Sequence, residues 1–390
     1  MNIQKDWEEV IQKPNEKFWI QEKRADGPTI FGSLCSPLSD VHETAPTDEQ
    51  QKFIIKNWNK YSLLVQCLVT DTVTQFTAPN KTIKLTEYNK PLLSMDISPS
   101  GELGVCSSVN GELWIWETDT GTNRRVLEGH VGDVDSCRFF PSGLVVLSGA
   151  SDYRVKIWSI KDGSCARTLT GHTRGITDTC IIEKGRNIIS SSRDGTIKLW
   201  NCASSNCLFT YCNISTPING CGLLSDSSLV FPPGNNPIVD EYCTEGKALW
   251  SVSDDGQLRI FDIRNKTMIS NYVHNDPAPL MRGVTIDSED KLIIGNENGE
   301  LILLDLRHIK SPLKTIRLSS SPICSLCYNN NKVLVGHKNG VCINWSYNDD
   351  TLLNDHITGT DIDPISSIVR RHHVTYTSSR DGRVRMYENS

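Results

Sequence analysis

The chain has no uninterrupted apolar run of the roughly 18 residues that a membrane-spanning helix requires, so no transmembrane helix is expected. Its N-terminal residues are mostly polar and contain no apolar signal-peptide core. A glycine-rich phosphate loop and a basic, aromatic-rich stripe are both missing, which argues against nucleotide and RNA binding. The formal net charge of −6 provides no attraction to nucleic acid or to an anionic membrane, and it favours a partner with a basic surface.

The cysteines, although there are 14, do not predict a disulfide framework. They are scattered through a large chain without an export signal, which is typical of reduced thiols in the cytosol or nucleus. Cys324 and Cys327 form a Cys-x-x-Cys pair, but in a strand residues i and i+3 face opposite ways and no second pair supplies more ligands. We therefore expect no metal site, no cofactor, and a location in the cytoplasm, with the nucleus as a second compartment.

A repeated turn organises most of the sequence. An Asp or Asn, usually followed by Gly, precedes an alternating apolar strand at Asn110, Asp152, Asp194, Asp255, Asn298, Asn339 and Asp381. Successive separations are 42, 42, 61, 43, 41 and 42 residues. Turns of this kind provide the positive φ of a tight hairpin, and the alternation marks strands. The spacing predicts seven repeats, one of which carries an insertion.

Each repeat contains the strands of one propeller blade. Two repeats also have a Gly-His pair, ending at His130 and His172, followed by the strand-terminal Trp158 and Trp200. This combination is the signature of a WD40 repeat. The sequence therefore predicts an all-β protein with a seven-bladed WD40 β-propeller over residues 81–390.

Three segments need a separate explanation. The last blade has only three strands before the chain ends, so residues 81–86 are predicted to pair with it as the closing strand. Residues 1–80 do not fit the repeat and predict a small α+β domain, with a helix over residues 6–12 and strands over residues 29–34 and 63–69. Residues 225–245 form the insertion, which contains Pro232, Pro233 and Pro237 and is predicted to be a surface loop, either a binding element or a disordered segment.

Several polar residues suggest a catalytic triad but have a structural alternative. His172, Ser191 and Asp194 are the residue types of a base, a nucleophile and an orienting acid. In WD40 repeats, however, such residues together with Trp200 form a hydrogen-bonded tetrad that ties the turn to the strands. His130, Asp152 and Trp158 are interpreted in the same way, with Ser148 displaced by one position. No catalytic residue is predicted.

Partner-binding residues are expected on the top face, where loops of different blades converge. The residue just before each repeated turn is predicted to point there, namely Val109, Ser151, Arg193, Asp254, Glu297, Lys338 and Arg380. Asp133, Asp361 and Asp363 are further candidates from the segments that enter blades two and seven. Asp254 and Glu297 form an acidic arc, and Arg193 and Arg380 are the two arginines of this face. Any one of these charges could instead be a solvated loop residue.

One block of sequence resembles a known family. Residues 124–130 (RRVLEGH), 133–134 (DV) and 137–149 (CRFFPSGLVVLSG) closely resemble the proteasomal ATPase-associated factor family. Residues 31–34, 185–187, 192–195 and 379–382 are similar as well. The resemblance covers most of the chain, including its N-terminal region.

The resemblance implies a monomeric assembly chaperone for the base of the proteasome regulatory particle. Members of this family bind the C-terminal domain of a proteasomal ATPase subunit through the propeller, with acidic top-face residues among the contacts. Other base-assembly chaperones are further implied partners. By position, Asp254 and Glu297 are the residues that would carry this role here. The alternative hypothesis is a general WD40 adaptor, such as a substrate receptor in a ubiquitin ligase; an enzyme ranks third.

Overall fold

A computed structural model describes residues 1–23, 28–37, 52–85, 90–224, 237–275, 278–286, 290–329, 332–347 and 354–388. Within them the chain is built almost entirely from short antiparallel strands, which follow the period of the repeated turn. No helix among these residues is both long and apolar enough to span a bilayer.

The N-terminal region supplies seven strands and one helical turn. These are β1 (Asn2–Ile3), α1 (Trp7–Val10), β2 (Lys17–Glu22), β3 (Ile30–Cys35), β4 (Phe53–Trp58), β5 (Ser62–Cys67), β6 (Val73–Thr77) and β7 (Lys81–Lys84).

The first three blades each contain four consecutive strands. Blade one has β8 (Leu92–Ile97), β9 (Leu103–Ser108), β10 (Leu113–Glu117) and β11 (Asn123–Leu127). Blade two has β12 (Val134–Phe139), β13 (Val145–Ala150), β14 (Val155–Ser159) and β15 (Cys165–Leu169). Blade three has β16 (Ile176–Ile182), β17 (Asn187–Ser192), β18 (Thr196–Asn201) and β19 (Cys207–Asn213).

Blades four to seven continue the pattern. Blade four has β20 (Ile218–Leu224), β21 (Ala248–Ser253), β22 (Gln257–Asp262) and β23 (Thr267–Val273). Blade five has β24 (Leu280–Ile286), β25 (Lys291–Asn296), β26 (Glu300–Asp305) and β27 (Lys314–Arg317). Blade six has β28 (Ile323–Asn329), β29 (Lys332–His337), β30 (Cys342–Ser346) and β31 (Asn354–Ile357), and blade seven has β32 (Ile365–Arg371), β33 (Val374–Ser379) and β34 (Arg383–Glu388). The predicted all-β WD40 propeller is confirmed.

The ring closes through the N-terminal strand β7. It pairs antiparallel with β34, with Ile83 opposite Val384 and Thr82 opposite Arg385. The first strands of blades seven and one, β32 and β8, then lie side by side. Blade seven thereby gains a fourth strand and loses its open edge. Thr86, at the end of the predicted closing segment, lies outside the described residues.

The rest of the N-terminal region is less helical than expected and is joined to the propeller. The helix predicted over residues 6–12 is limited to Trp7–Val10, although Trp7, Val10 and Ile11 are all buried. Strand β6 pairs in parallel with β31, with Phe76 opposite His356, so β4 to β6 extend blade six into a seven-stranded sheet. The pairing covers the outer edge of blade six, which would otherwise offer unpaired backbone groups.

The insertion leaves the propeller on the bottom face, opposite the repeated turns. It connects β20 to β21, and its first part, residues 225–236, lies outside the described residues. In the described part, the buried Glu241 carboxylate lies 2.8 Å from Lys266 Nζ and 3.5 Å from Arg264 Nε. It also accepts a 2.6 Å hydrogen bond from Thr244 Oγ1. Residues 237–245 are therefore anchored to blade four.

Candidate partner-binding face

A buried hydrogen-bond network supports the turn of blade two. His130 Nδ1 lies 2.8 Å from Asp152 Oδ2, and His130 Nε2 lies 2.7 Å from Ser148 Oγ. Trp158 Nε1–H donates to the same hydroxyl at 2.8 Å. Ser148 is fully buried, so its hydroxyl is enclosed by partners. The network braces the blade and presents no nucleophile to solvent.

The same network in blade three uses Ser190, so the prediction of Ser191 was wrong. His172 Nε2 lies 2.7 Å from Ser190 Oγ, and Trp200 Nε1–H donates to that oxygen at 2.8 Å. Ser191 points to the opposite side of β17, where its hydroxyl lies 3.0 Å from Thr177 Oγ1. Ser148 is accordingly in register, because it precedes Ser190 by the same 42 residues that separate His130 from His172.

The carboxylates of these networks stay charged. Burial alone would raise the pKa of Asp194, but hydrogen bonds from His172, Thr196 and the Thr173 amide outweigh it and lower the pKa. The pKa of Asp152 is lowered in the same way. Both aspartates therefore act as fixed acceptors that hold the His-bearing loop against the turn.

Blades four and seven replace the histidine network with an arginine, a feature that the sequence interpretation missed. In blade seven, the buried Arg385 guanidinium contacts Asp381 and donates to Ser379 Oγ at 2.6 Å. In blade four, Arg259 donates to Asp255 Oδ2 at 2.5 Å and to Ser253 Oγ at 2.7 Å. The signal was present, because both repeats have the pattern Ser-x-Asp-Gly-x-x-Arg.

Six of the seven predicted turn residues occupy equivalent positions around the ring, whereas Val109 of blade one begins a short 3-10 helix, Val109–Gly111. The amide of the residue before the repeated turn donates to the carbonyl just before the first strand of its blade. This bond joins Ser151 to Asp133 (2.7 Å), Arg193 to Gly175 (2.9 Å), Asp254 to Pro217 (3.0 Å), Glu297 to Pro279 (3.0 Å), Lys338 to Pro322 (2.9 Å) and Arg380 to Pro364 (3.1 Å). The repeat therefore fixes the backbone position of each of these residues, and the side chains differ from blade to blade.

The charges of this face differ in how firmly they are held. Asp254 is half-buried, and its Oδ1 accepts a 2.7 Å hydrogen bond from Asn219 Nδ2, which also donates to Leu280 O at 2.9 Å. Glu297, on the neighbouring blade, is exposed, as are Arg380 and Asp133. Arg193 lies 3.4 Å from Asp135 of blade two. The acidic arc thus combines one fixed carboxylate with one exposed carboxylate.

Asp361 and Asp363 lie beside the repeated turn of blade six, because the backbone carbonyls of both residues border Gly340 of that turn. They are in the segment between β31 and β32, and Asp361 lines a groove of about 220 Å³ beside the N-terminal sheet. Lys5, Trp19 and the exposed Ile362 line the same groove. Asp361 is therefore on the top face, between the turn of blade six and the N-terminal sheet.

The sequence interpretation also missed polar and charged residues around the central channel of the propeller, which the first strands of the blades line. The first strand of every blade has a bulge near its top end, and its extra residue is Asp135 in blade two and Asn219 in blade four. Arg282 of blade five donates to Asn219 O at 2.8 Å and to Cys324 O at 3.2 Å. Burial raises the pKa of Asp135, and nearby Arg193 and Arg282 partly offset that effect. Asn219 and Arg282 thus connect the acidic arc, at Asp254, with the residues around the central channel.

Comparison with known proteins supports the assignment of WD40 repeats. The family model described as "WD domain, G-beta repeat" matches residues 121–159 and 163–201. The chain is 38% identical to chicken (Gallus gallus) "Proteasomal ATPase-associated factor 1" over 390 residues, covering 100% of this chain and 98% of the relative. It is 38% identical to the human (Homo sapiens) protein of that name over 392 residues, with 100% and 98% covered. It is 37% identical to a "Probable proteasomal ATPase-associated factor 1" of Dictyostelium discoideum over 418 residues, with 100% and 96% covered.

Proposed function

This chain belongs to the proteasomal ATPase-associated factor family, and from that premise we propose that it is a non-enzymatic assembly chaperone of the proteasome regulatory particle. It binds the C-terminal domain of one proteasomal ATPase subunit through its top face while the base assembles. Other base-assembly chaperones join the same intermediate. The protein acts in the cytoplasm and nucleus, as a monomer before it binds.

The acidic arc is the observation that supports this proposal most directly. Asp254 and Glu297 occupy equivalent turn positions on neighbouring blades, so their carboxylates face the same side of the propeller. Two adjacent carboxylates on a rigid surface attract a basic partner and raise its association rate. The net charge of −6 acts in the same direction over longer distances.

The arc is also arranged before any partner arrives. Asn219 holds the Asp254 carboxylate, and backbone bonds tie both turns to the residue that precedes the first strand of each blade. A surface that needs little ordering loses less conformational entropy on binding. This rigidity suits a chaperone that must hold a subunit in one orientation.

A binding experiment with isolated ATPase domains tests the proposal. Purified protein is presented with the C-terminal domain of each of the six proteasomal ATPase types, and co-purifying proteins are identified from cells. The double variant Asp254→Lys with Glu297→Lys is expected to bind its domain roughly tenfold more weakly and to keep a cooperative unfolding transition.

The matched control is Glu102→Lys with Asp119→Lys, which reverses two exposed acidic residues on the bottom face. It changes the net charge by the same amount and should leave the affinity for the ATPase domain unchanged. Failure to bind any of the six domains would overturn the proposal. Co-purification with a ubiquitin-ligase scaffold in place of ATPase subunits would favour the adaptor hypothesis.

A further inference from the structure

A hollow of about 580 Å³ lies on the bottom face, away from the acidic arc. It is bordered by the turn after the third strand of blade three, the outer strand of blade two and residues of the blade-four insertion. Its apolar lining consists of Phe140, Ile157, Ala166, Cys202, Ala203 and Tyr242. Burial raises the pKa of the Cys202 thiol to about 12, so this part of the lining is uncharged at neutral pH. The volume is that of a ligand pocket and suits one or two bulky side chains.

The insertion side of the hollow is fixed by two buried asparagines. Asn187 Nδ2 and Asn201 Nδ2 donate to Asp240 O at 3.1 and 3.2 Å. In return, the Tyr242 amide donates to Asn187 Oδ1 at 2.6 Å. Both asparagines are nearly inaccessible to solvent. The insertion is thus docked against blade three by buried hydrogen bonds, and the hollow has a defined shape.

Two guanidinium groups flank the hollow. Arg186 lies over the Tyr242 ring, with 4.9 Å from Cζ to the ring centroid. Arg167 donates to two backbone carbonyls, Ala203 O from Nε at 3.1 Å and Ala166 O from Nη1 at 2.8 Å. Within the described part of the chain, neither guanidinium forms an ion pair. Among the described residues of the lining, Asp240 alone bears a carboxylate, so positive charge prevails at the described part of the rim.

Apolar surface continues beyond the hollow along the insertion. Val239 is 83% exposed and Ile238 is 40% exposed. Large exposed aliphatic side chains next to an apolar hollow are typical of a protein-binding surface. The arginines on its border add the charge that selects the partner.

We propose that this hollow docks an acidic, extended segment of a partner protein. A bulky apolar side chain of the segment enters the hollow, and flanking carboxylates pair with Arg167 and Arg186. The site is on the face opposite Asp254 and Glu297, so both faces can be occupied at once. The protein would then hold a basic partner on top and an acidic partner below.

The test uses the full-length protein and labelled peptides in a fluorescence-anisotropy titration. The probe is a short peptide with one phenylalanine flanked by glutamates, and matched peptides replace either the glutamates with glutamines or the phenylalanine with serine. Both replacements are expected to weaken binding roughly tenfold, because each removes one of the two recognition elements. Equal binding of all three peptides would overturn the proposal.

Protein variants locate the site. Arg167→Gln with Arg186→Gln should weaken binding of the acidic peptide roughly tenfold, and Ala203→Trp should block it by filling the hollow. Arg154→Gln, which removes one exposed arginine near the top-face turn of blade two, is the control for a charge lost elsewhere and should leave peptide binding unchanged. The Asp254→Lys and Glu297→Lys variant should keep peptide binding, so loss of the top-face interaction and loss of this one are distinguishable. Unchanged affinity in both hollow variants would also overturn the proposal.

Discussion

His172 and Ser190 face each other inside blade three, with 2.7 Å between Nε2 and Oγ. Ser190→Ala removes the acceptor of Trp200 and the partner of His172, which leaves two buried polar groups unsatisfied. We expect it to lower the free energy of unfolding by about 2 to 3 kcal/mol. Ser191→Ala removes the contact with Thr177 and a 3.5 Å hydrogen bond to Asp178 O, and should cost about 1 kcal/mol. Denaturant unfolding of the two variants compares them, and a larger loss for Ser191→Ala would contradict this assignment.

The closing strand gives a second prediction. Ile83 of β7 is buried against blade seven, whereas the neighbouring Thr82 is exposed. Ile83→Asn would bury an unpaired amide at the junction of the ring and is expected to cost roughly 3 kcal/mol or more. Thr82→Asn, the matched control in the same strand, should stay within about 0.5 kcal/mol of wild type. Thermal unfolding compares the variants. Equal midpoints would show that this strand does not help to stabilise the ring.

His356 predicts how stability depends on pH. Burial beside Phe76 lowers its pKa to about 3, with smaller contributions from the N-terminus and His337. Since the unfolded histidine has a pKa near 6.5, the unfolded state binds the additional proton between about pH 6.5 and 3. Stability is therefore complete above the unfolded pKa and falls on acidification, by up to about 1.4 kcal/mol per pH unit from this group.

The variant His356→Gln isolates this contribution. Subtracting its pH profile from that of wild type cancels other titrating groups, including the buried Asp355 with its raised pKa. The difference should increase steadily with pH across the window and level off above about pH 7. Parallel profiles would show that His356 does not titrate differently in the folded and unfolded protein.

The propeller could be predicted because its signals are local. The Asp-Gly turns and the alternating strands repeat every 41 to 43 residues outside the insertion, so blade number follows from spacing. Ser190 and Ser191 are adjacent and both polar, and residue type alone does not reveal which one faces His172. The Phe76 and His356 pairing joins strands about 280 residues apart in sequence, and no local pattern marks it. For the same reason the sequence does not predict the contact of Asn187 with Asp240 of the insertion.

The candidate site likewise combines features that the sequence predicts with features that it does not. The turn positions of Asp254 and Glu297 follow from the repeat, and the backbone bonds have the same geometry in both. The support of Asp254 by Asn219 depends on a bulge in β20 that carries no strong sequence signal. The hollow on the bottom face depends on Asp240 and Tyr242 of the insertion, which contact Asn187 of blade three.

The association rate of the ATPase C-terminal domain, measured against ionic strength, tests the central claim most directly. If the acidic arc of Asp254 and Glu297 steers a basic domain to the top face, the rate should fall steeply as salt screens the charges. The Asp254→Lys and Glu297→Lys variant should then associate more slowly at low salt and lose most of that salt dependence. The same rate and the same salt dependence in the variant would contradict the claim that this arc is the binding site.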